Sequence, residues 1–262
     1  MELTVDGKRV FAATGGRPFD PALPAVLFVH GAGMDHSVWV LQARYLAHRG
    51  HAVLSLDLPG HGRSEGPALD SVAAIGDWLA AVVEAAGVER AALVGHSMGA
   101  IAALSCAARH ADWVRALALI GVAATMPVHP DLLAAAEADD HRAFELVVDW
   151  GHGGPAHLGG HPAPGLWMLG GGEKLLERSK PGVLHRDLAA CAAYQDGPAD
   201  AAAVSCPTLV VVAAEDRMTP PKAGRALAET IDGARVVALP RAGHMMMTED
   251  ADGTLAALKD FL

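Results

Sequence analysis

The sequence predicts an α/β protein built on a mostly parallel central sheet flanked by helices, with a helical cap inserted over one end of the sheet. Short, nearly continuous apolar runs alternate with helical stretches, as expected for parallel strands joined by helical crossovers when both sheet faces are covered. That rhythm stops after Thr125 and returns at Pro207, which marks the insertion. At 262 residues and 52% apolar composition, the chain has ample material for a large core.

The elements follow in order. "LTVDGKRVFAA" alternates apolar and polar residues around Asp6 and Gly7, which predicts a hairpin at a sheet edge. "AVLFVHG" (25–31) reads as a strand, with a helix near 36–49 after it. "AVLSLDLPG" (52–60) is the next strand, followed by a helix near 71–87. "RAALVGHS" (90–97) leads into a helix over 98–110, and "VRALALIGVA" (114–123) is a further strand. Beyond Thr125 the pattern predicts one helix at 130–150, a loop rich in Gly, Pro and His at 151–165, and helical pieces near 173–179 and 185–195. Strands return at "PTLVVVAAED" (207–216) and "ARVVALP" (234–240), with helices between and after. The expected division is therefore a core of 1–124 and 204–262 and a lid of 125–203. The many glycines of 151–172 predict an adaptable lid segment.

Composition excludes several functions. Thirty acidic residues against 20 basic ones give a formal charge of −10, and no Lys/Arg cluster offers a footing for nucleic acid. Cys106, Cys191 and Cys206 are an odd, scattered set that suits a reducing compartment better than a disulfide framework. The N-terminal stretch is polar and of mixed charge, unlike a signal peptide. The uncharged run from Ala91 to Ala108 is interrupted by Gly95, His96, Ser97 and Gly99, so it reads as strand, turn and helix, with no membrane span. The expectation is a soluble, cytoplasmic protein, with monomer and homodimer both open.

Three reactive side chains fall at, or just beyond, the carboxyl ends of predicted strands: Ser97, Asp216 and His244. A serine hydroxyl is a weak nucleophile that needs a base; histidine supplies one, and a carboxylate fixes its tautomer. Ser97 sits in "LVGHSMGA" at a strand-to-helix turn, where close passage of strand and helix demands small neighbours at Gly95 and Gly99. Attack on a carbonyl also needs donors for the oxyanion. The backbone N–H of Met98 is one, and the loop "VHGAGM" (29–34) supplies the second from Ala32, with Gly33 as the alternative.

The motifs "HGAG" (30–33), "DLPGHGRS" (57–64), "GHSMG" (95–99), "AEDRMTP" (214–220) and "AGH" (242–244) occur in order, each at a predicted strand end. In these motifs the sequence resembles the α/β-hydrolase family over nearly the whole chain, with 125–203 the least determined part. The resemblance implies Ser97 as nucleophile, Asp216 as acid and His244 as base, with no cofactor. Glu215 competes with Asp216, but the family's Asp-x-x-x-Pro spacing fits Asp216 and Pro220, and no carboxylate follows the strand at 114–123. A serine at this position argues against haloalkane dehalogenases and epoxide hydrolases, which place aspartate there. The expected activity is cleavage of a small or medium carboxylic ester. A carbon–carbon bond hydrolase of aromatic ring-cleavage products, or a lactonase, is the alternative on the same triad. A non-catalytic receptor that keeps the pocket is the reading from another class.

The remaining candidates are weaker. His30, Trp150, Trp167, Met168, Cys191 and Met245 are expected around the substrate pocket. His30 and His96 are expected to bond loop backbone, His61 to organise its loop, and Asp57 to pin the "GHGRS" loop through backbone N–H or Arg63. His152, His157 and His161 lack carboxylate or thiolate partners in the sequence and are read as lid residues, with no metal expected. Arg142, Arg178 and Arg186 are too dispersed to form an arginine pair for a dianionic substrate.

Overall fold

Alternate residues along the central strands face two separate apolar cores. Leu27 and Val29 pack on one side of the sheet while Val26 and Phe28 pack on the other, the period-two geometry of a strand covered on both faces. The structure, a computed structural model, describes residues 1–160 and 166–262. Within it, eight strands form one sheet: β1 (Glu2–Val5), β2 (Lys8–Ala13), β3 (Ala25–Val29), β4 (Ala52–Leu56), β5 (Ala91–His96), β6 (Val114–Ile120), β7 (Thr208–Ala213) and β8 (Arg235–Leu239). Their spatial order is β1-β2-β4-β3-β5-β6-β7-β8. β1, β2 and β4 pair antiparallel, and every pairing from β4 to β8 is parallel. Asp6 and Gly7 both take positive φ (+49° and +72°), which closes the β1–β2 hairpin with a two-residue turn.

Helices α1 (Val40–Ala47), α2 (Val72–Ala85) and α3 (Met98–Arg109) fill the crossovers between β3 and β6. Trp39 and α1 cover the face of Phe28, while α2 and α3 cover the other. Ser71 caps α2 by accepting from Ala74 N–H.

Between β6 and β7 lie α4 (Pro130–Glu137), α5 (Arg142–Gly151), α6 (Gly154–His157), α7 (Met168–Leu176), α8 (Val183–Ala193) and α9 (Gly197–Ala203). The single helix expected at 130–150 is two helices. Asp139 turns left-handed (φ +49°), its carboxylate accepts from Gly182 N–H, and Asp140 then caps Arg142 N–H. The loop expected at 151–165 contains the short α6; His161 and Gly165 lie outside the described residues. α7 begins five residues earlier than expected, and α9, which packs on α3, was not expected at all. α10 (Pro221–Ala228), α11 (Met246–Glu249) and α12 (Ala251–Lys259) complete the chain. Among the described residues no helix is long and apolar enough to cross a membrane.

Candidate active site

Strand β5 delivers Ser97 at its end with φ +54° and ψ −119°, a strained backbone that a non-glycine residue adopts only when its surroundings enforce it. Ser97 N–H donates to Ile120 O at 3.0 Å, and its own carbonyl accepts the first bonds of α3. A Cβ at Gly95 would run into the Gly99 carbonyl, and one at Gly99 into the carbonyls of Val29 and His30. Strand and helix therefore touch backbone to backbone here.

Asp216 stands just beyond β7. Its Oδ1 accepts from Met218 N–H (2.9 Å) and Thr219 N–H (2.8 Å), and its Oδ2 from the Thr219 hydroxyl (2.7 Å). The same Oδ2 accepts from His244 Nδ1–H at 2.9 Å. Burial opposes the charge of Asp216, but the His244 ring and the Thr219 donors outweigh it and hold the carboxyl below the ordinary range.

His244 follows β8 and is fixed on three sides. Its N–H donates to Gly151 O (2.9 Å), its carbonyl accepts from His96 Nε2–H (3.0 Å), and Gly121 leaves room for its ring. Burial drives His96 well below the ordinary imidazole range, so it is a neutral donor. His244 Nε2 is buried without a hydrogen-bond partner among the described residues, Ser97 Oγ included.

Ser97 and His244 both border one cavity of about 440 Å³. Its wall is mainly apolar: Met126, Val128, Leu132, Val147, Trp150, Leu184, Leu188 and Met245. Ala32 lies on it as well. Gly33 N–H is taken by Asp187 Oδ2 at 2.8 Å, whereas no partner for Ala32 N–H or Met98 N–H occurs among the described residues. Gly31 must lack a side chain because a Cβ would come within 2.9 Å of His96 Nδ1.

Trp150, Cys191 and Met245 line the cavity; His30, Trp167 and Met168 do not. His30 is wholly buried beneath the loops, where Nε2 accepts from Leu58 N–H (3.1 Å) and Nδ1–H donates to Gly31 O (2.9 Å). Burial, with His61 nearby, pushes its pKa to about 4. Trp167 is 68% exposed with its ring beside Gly170, and Met168, the first residue of α7, does not reach the cavity wall. Cys191 is a buried thiol whose pKa burial raises, which makes it wall material, not a nucleophile.

Asp57 anchors its loop by accepting from His36 N–H, the His36 ring and Arg63 N–H. With Asp35 and His36 it forms the one group of potential metal donors among the described residues. Of the histidines in the insertion singled out in the sequence, His152 bonds Val148 O and His157 bonds His152 O, while His161 is not described. Besides the wall residues Met126, Val128, Leu132, Val147, Leu184 and Leu188, sequence reasoning missed Thr219, Gly121, Arg217 on the cavity wall, and Asp187. Thr219 and Arg217 lie inside "AEDRMTP", a local signal; Gly121 and Asp187 carry none.

Residues 26–258 match the alpha/beta hydrolase family. The chain belongs to that family. This alpha/beta hydrolase is 29% identical over 256 residues to "Putative carbamate hydrolase RutD" of Klebsiella pneumoniae subsp. pneumoniae, covering 92% of each chain. It is 30% identical over 248 residues to the pimeloyl-[acyl-carrier protein] methyl ester esterase of Chromobacterium violaceum, covering 91% of this chain and 94% of that one. Among solved structures it resembles the enol-lactonase from Burkholderia xenovorans LB400, with a TM-score of 0.88 and 25% identity over 100% of this chain and 99% of that one. These likenesses support a hydrolase.

Proposed function

We propose that the protein is a serine hydrolase of small or medium carboxylic esters, working through Ser97, His244 and Asp216. The observation that carries this reading is the Asp216–His244 bond, which leaves the other imidazole nitrogen free at the cavity that Ser97 borders from a strained turn. His244 Nε2 takes the Ser97 proton as Oγ attacks the ester carbonyl, and Asp216 stabilises the imidazolium that forms. The tetrahedral oxyanion is held by Met98 N–H, at the start of α3, and by Ala32 N–H. His244 then protonates the departing alcohol, and water repeats the sequence on the acyl-enzyme.

The apolar wall and a volume of about 440 Å³ suit a substrate with one modest hydrocarbon group. Most of that wall comes from the insertion between β6 and β7, namely residues 126–129 and helices α4, α5 and α8, so this insertion is assigned the role of cap. Likeness to an enol-lactonase supports a second substrate form, the lactone, which is an ester whose alcohol stays tethered to the acyl group. Three free cysteines, two of them buried, support a cytoplasmic setting. The test is turnover of a p-nitrophenyl ester series and several lactones by wild type and Ser97→Ala. A loss of about 10⁴-fold or more in kcat is expected for the variant. Wild-type turnover by Ser97→Ala would end the proposal.

A further inference from the structure

Asp187 belongs to α8, yet its carboxylate reaches the loop after β3 and is 1% exposed. Its Oδ2 accepts from Gly33 N–H at 2.8 Å and from His61 Nε2–H at 2.8 Å. The other ring nitrogen of His61 lies 3.0 Å from the Pro59 carbonyl. A carbonyl and a carboxylate both only accept, so a ring bonded to both donates from both nitrogens. His61 is therefore a buried imidazolium.

Its neighbours fit that charge. The ring of His30, 4.8 Å away between centroids, is neutral, since one of its nitrogens accepts from Leu58 N–H. Asp57 adds a favourable field from the end of β4. Cys191, one turn along α8, is held protonated by burial and by Asp187. Arg178 and Asp35 pair at 3.3 Å beside the small crevice that His61 and Gly33 share. Burial works against the His61 charge; Asp187 and the Pro59 carbonyl overcome it and raise its pKa above the ordinary value.

The pinned residue matters because of where it lies. Gly33 has φ +68° and follows Ala32, with Gly31 on the other side, so the loop has little steric preference of its own. Leu184 and Leu176 close over Gly33, at 3.0 and 3.1 Å from where a Cβ would stand. Leu184 and Asp187 lie three residues apart on one face of α8 and act on the same glycine.

We infer that Asp187 and His61 are positioning residues of the oxyanion loop: by holding Gly33 N–H, the ion pair aims Ala32 N–H at the substrate carbonyl oxygen. The inference rests on the assignment of Ala32 as an oxyanion donor. The cap helix thus completes the catalytic loop besides walling the cavity.

The test compares Asp187→Ala and Asp187→Asn with wild type, by kcat and KM on p-nitrophenyl butyrate and by the amide resonance of Gly33. Asp187→Ala is expected to lower kcat by about 10- to 100-fold while KM moves less than about threefold, since the lost interaction acts in the transition state. Its Gly33 amide is expected to leave the downfield position of a carboxylate-bonded proton. Asparagine with its oxygen at the Oδ2 position still accepts from Gly33 N–H and from the Nε2–H of a neutral His61, so Asp187→Asn is expected to recover most of kcat. Wild-type kcat is expected to fall at alkaline pH as His61 deprotonates, and Asp187→Asn is expected to lose that fall. A folded Asp187→Ala with wild-type kcat, a defect confined to KM, or no recovery by asparagine overturns the inference. Absence of esterase activity in wild type would instead sink the proposed ester-hydrolase reading. The Gly33 resonance still judges the Asp187 bond in that case, and an unmoved resonance in Asp187→Ala overturns it; should alanine fail to fold, the asparagine pH profile decides.

Discussion

Thr219 and His244 converge on a single oxygen. The Thr219 hydroxyl donates to Asp216 Oδ2 at 2.7 Å, His244 Nδ1–H reaches the same atom at 2.9 Å, and the two side chains approach each other to 3.2 Å. An acceptor saturated in this way has one orientation, and so has the imidazole it holds.

Removing the hydroxyl tests that arrangement. Thr219→Val is expected to lower kcat by about tenfold and stability by about 1 kcal/mol, the usual cost of one buried hydrogen bond. Thr219→Ser should restore both. Asp216 rises toward the ordinary carboxylate range in the valine variant but stays ionised at neutral pH, so the acid limb of the kcat profile is the sensitive readout.

Stability should fall on both sides of neutrality, for separate reasons. His30 is depressed from about 6.5 to about 4, so its contribution is present above the unfolded value and is lost as pH falls from about 6.5 through 4. Asp216, also depressed, adds a further loss below the unfolded carboxylate value. His61 is raised, so its contribution is complete below the ordinary imidazole value and is lost as pH climbs through its folded value. Urea midpoints measured across pH should trace this dome. His61→Gln should flatten the alkaline side while leaving the acid side in place; an unchanged alkaline slope would remove His61 from the account.

The glycines of the turn carry a steric prediction. Gly95→Ala or Gly99→Ala places a methyl on backbone carbonyls that are part of the sheet and helix, so a loss of about 3 kcal/mol or more, or failure to fold, is expected. Gly121→Ala meets the His244 ring at 3.0 Å and imposes a side chain at φ +61°. It should lower kcat more than it lowers the melting temperature. Calorimetry and kinetics on the same preparations distinguish the two behaviours.

The cavity wall predicts selectivity. Leu188→Phe narrows the chamber and should shift the optimum of a nitrophenyl ester series by roughly two carbons toward shorter acyl chains. Arg217 is the one permanently charged side chain on that wall among the described residues. Arg217→Gln should raise KM severalfold for an ester bearing a distal carboxylate and leave neutral esters unaffected.

Much of the fold was legible because it is written in neighbouring residues. Continuous apolar runs marked the buried strands β3 to β7, and Asp6 with Gly7 marked the edge hairpin. Helix boundaries in the insertion were not, since the break at Asp139 depends on a bond to Gly182 N–H, 43 residues away. The candidate site divides the same way. Ser97, Asp216 and His244 stand at strand ends, and a parallel sheet brings such ends together without further instruction. His30, Trp167 and Met168 were misplaced because polarity and size say nothing about which side of a loop or helix faces a cavity.

By itself, the sequence determined the layered α/β architecture, the strained turn at Ser97 with its two obligatory glycines, and the set of reactive side chains at the sheet's carboxyl edge. These follow from backbone sterics and side-chain period, which act between residues close in the chain. The tertiary structure alone decided which inserted residues wall the cavity, and that Asp187 on α8 holds Gly33, 154 residues earlier. That contact comes from how a helix docks, and docking is settled by the summed burial of Leu176, Leu184 and Leu188, with no local pattern to announce it.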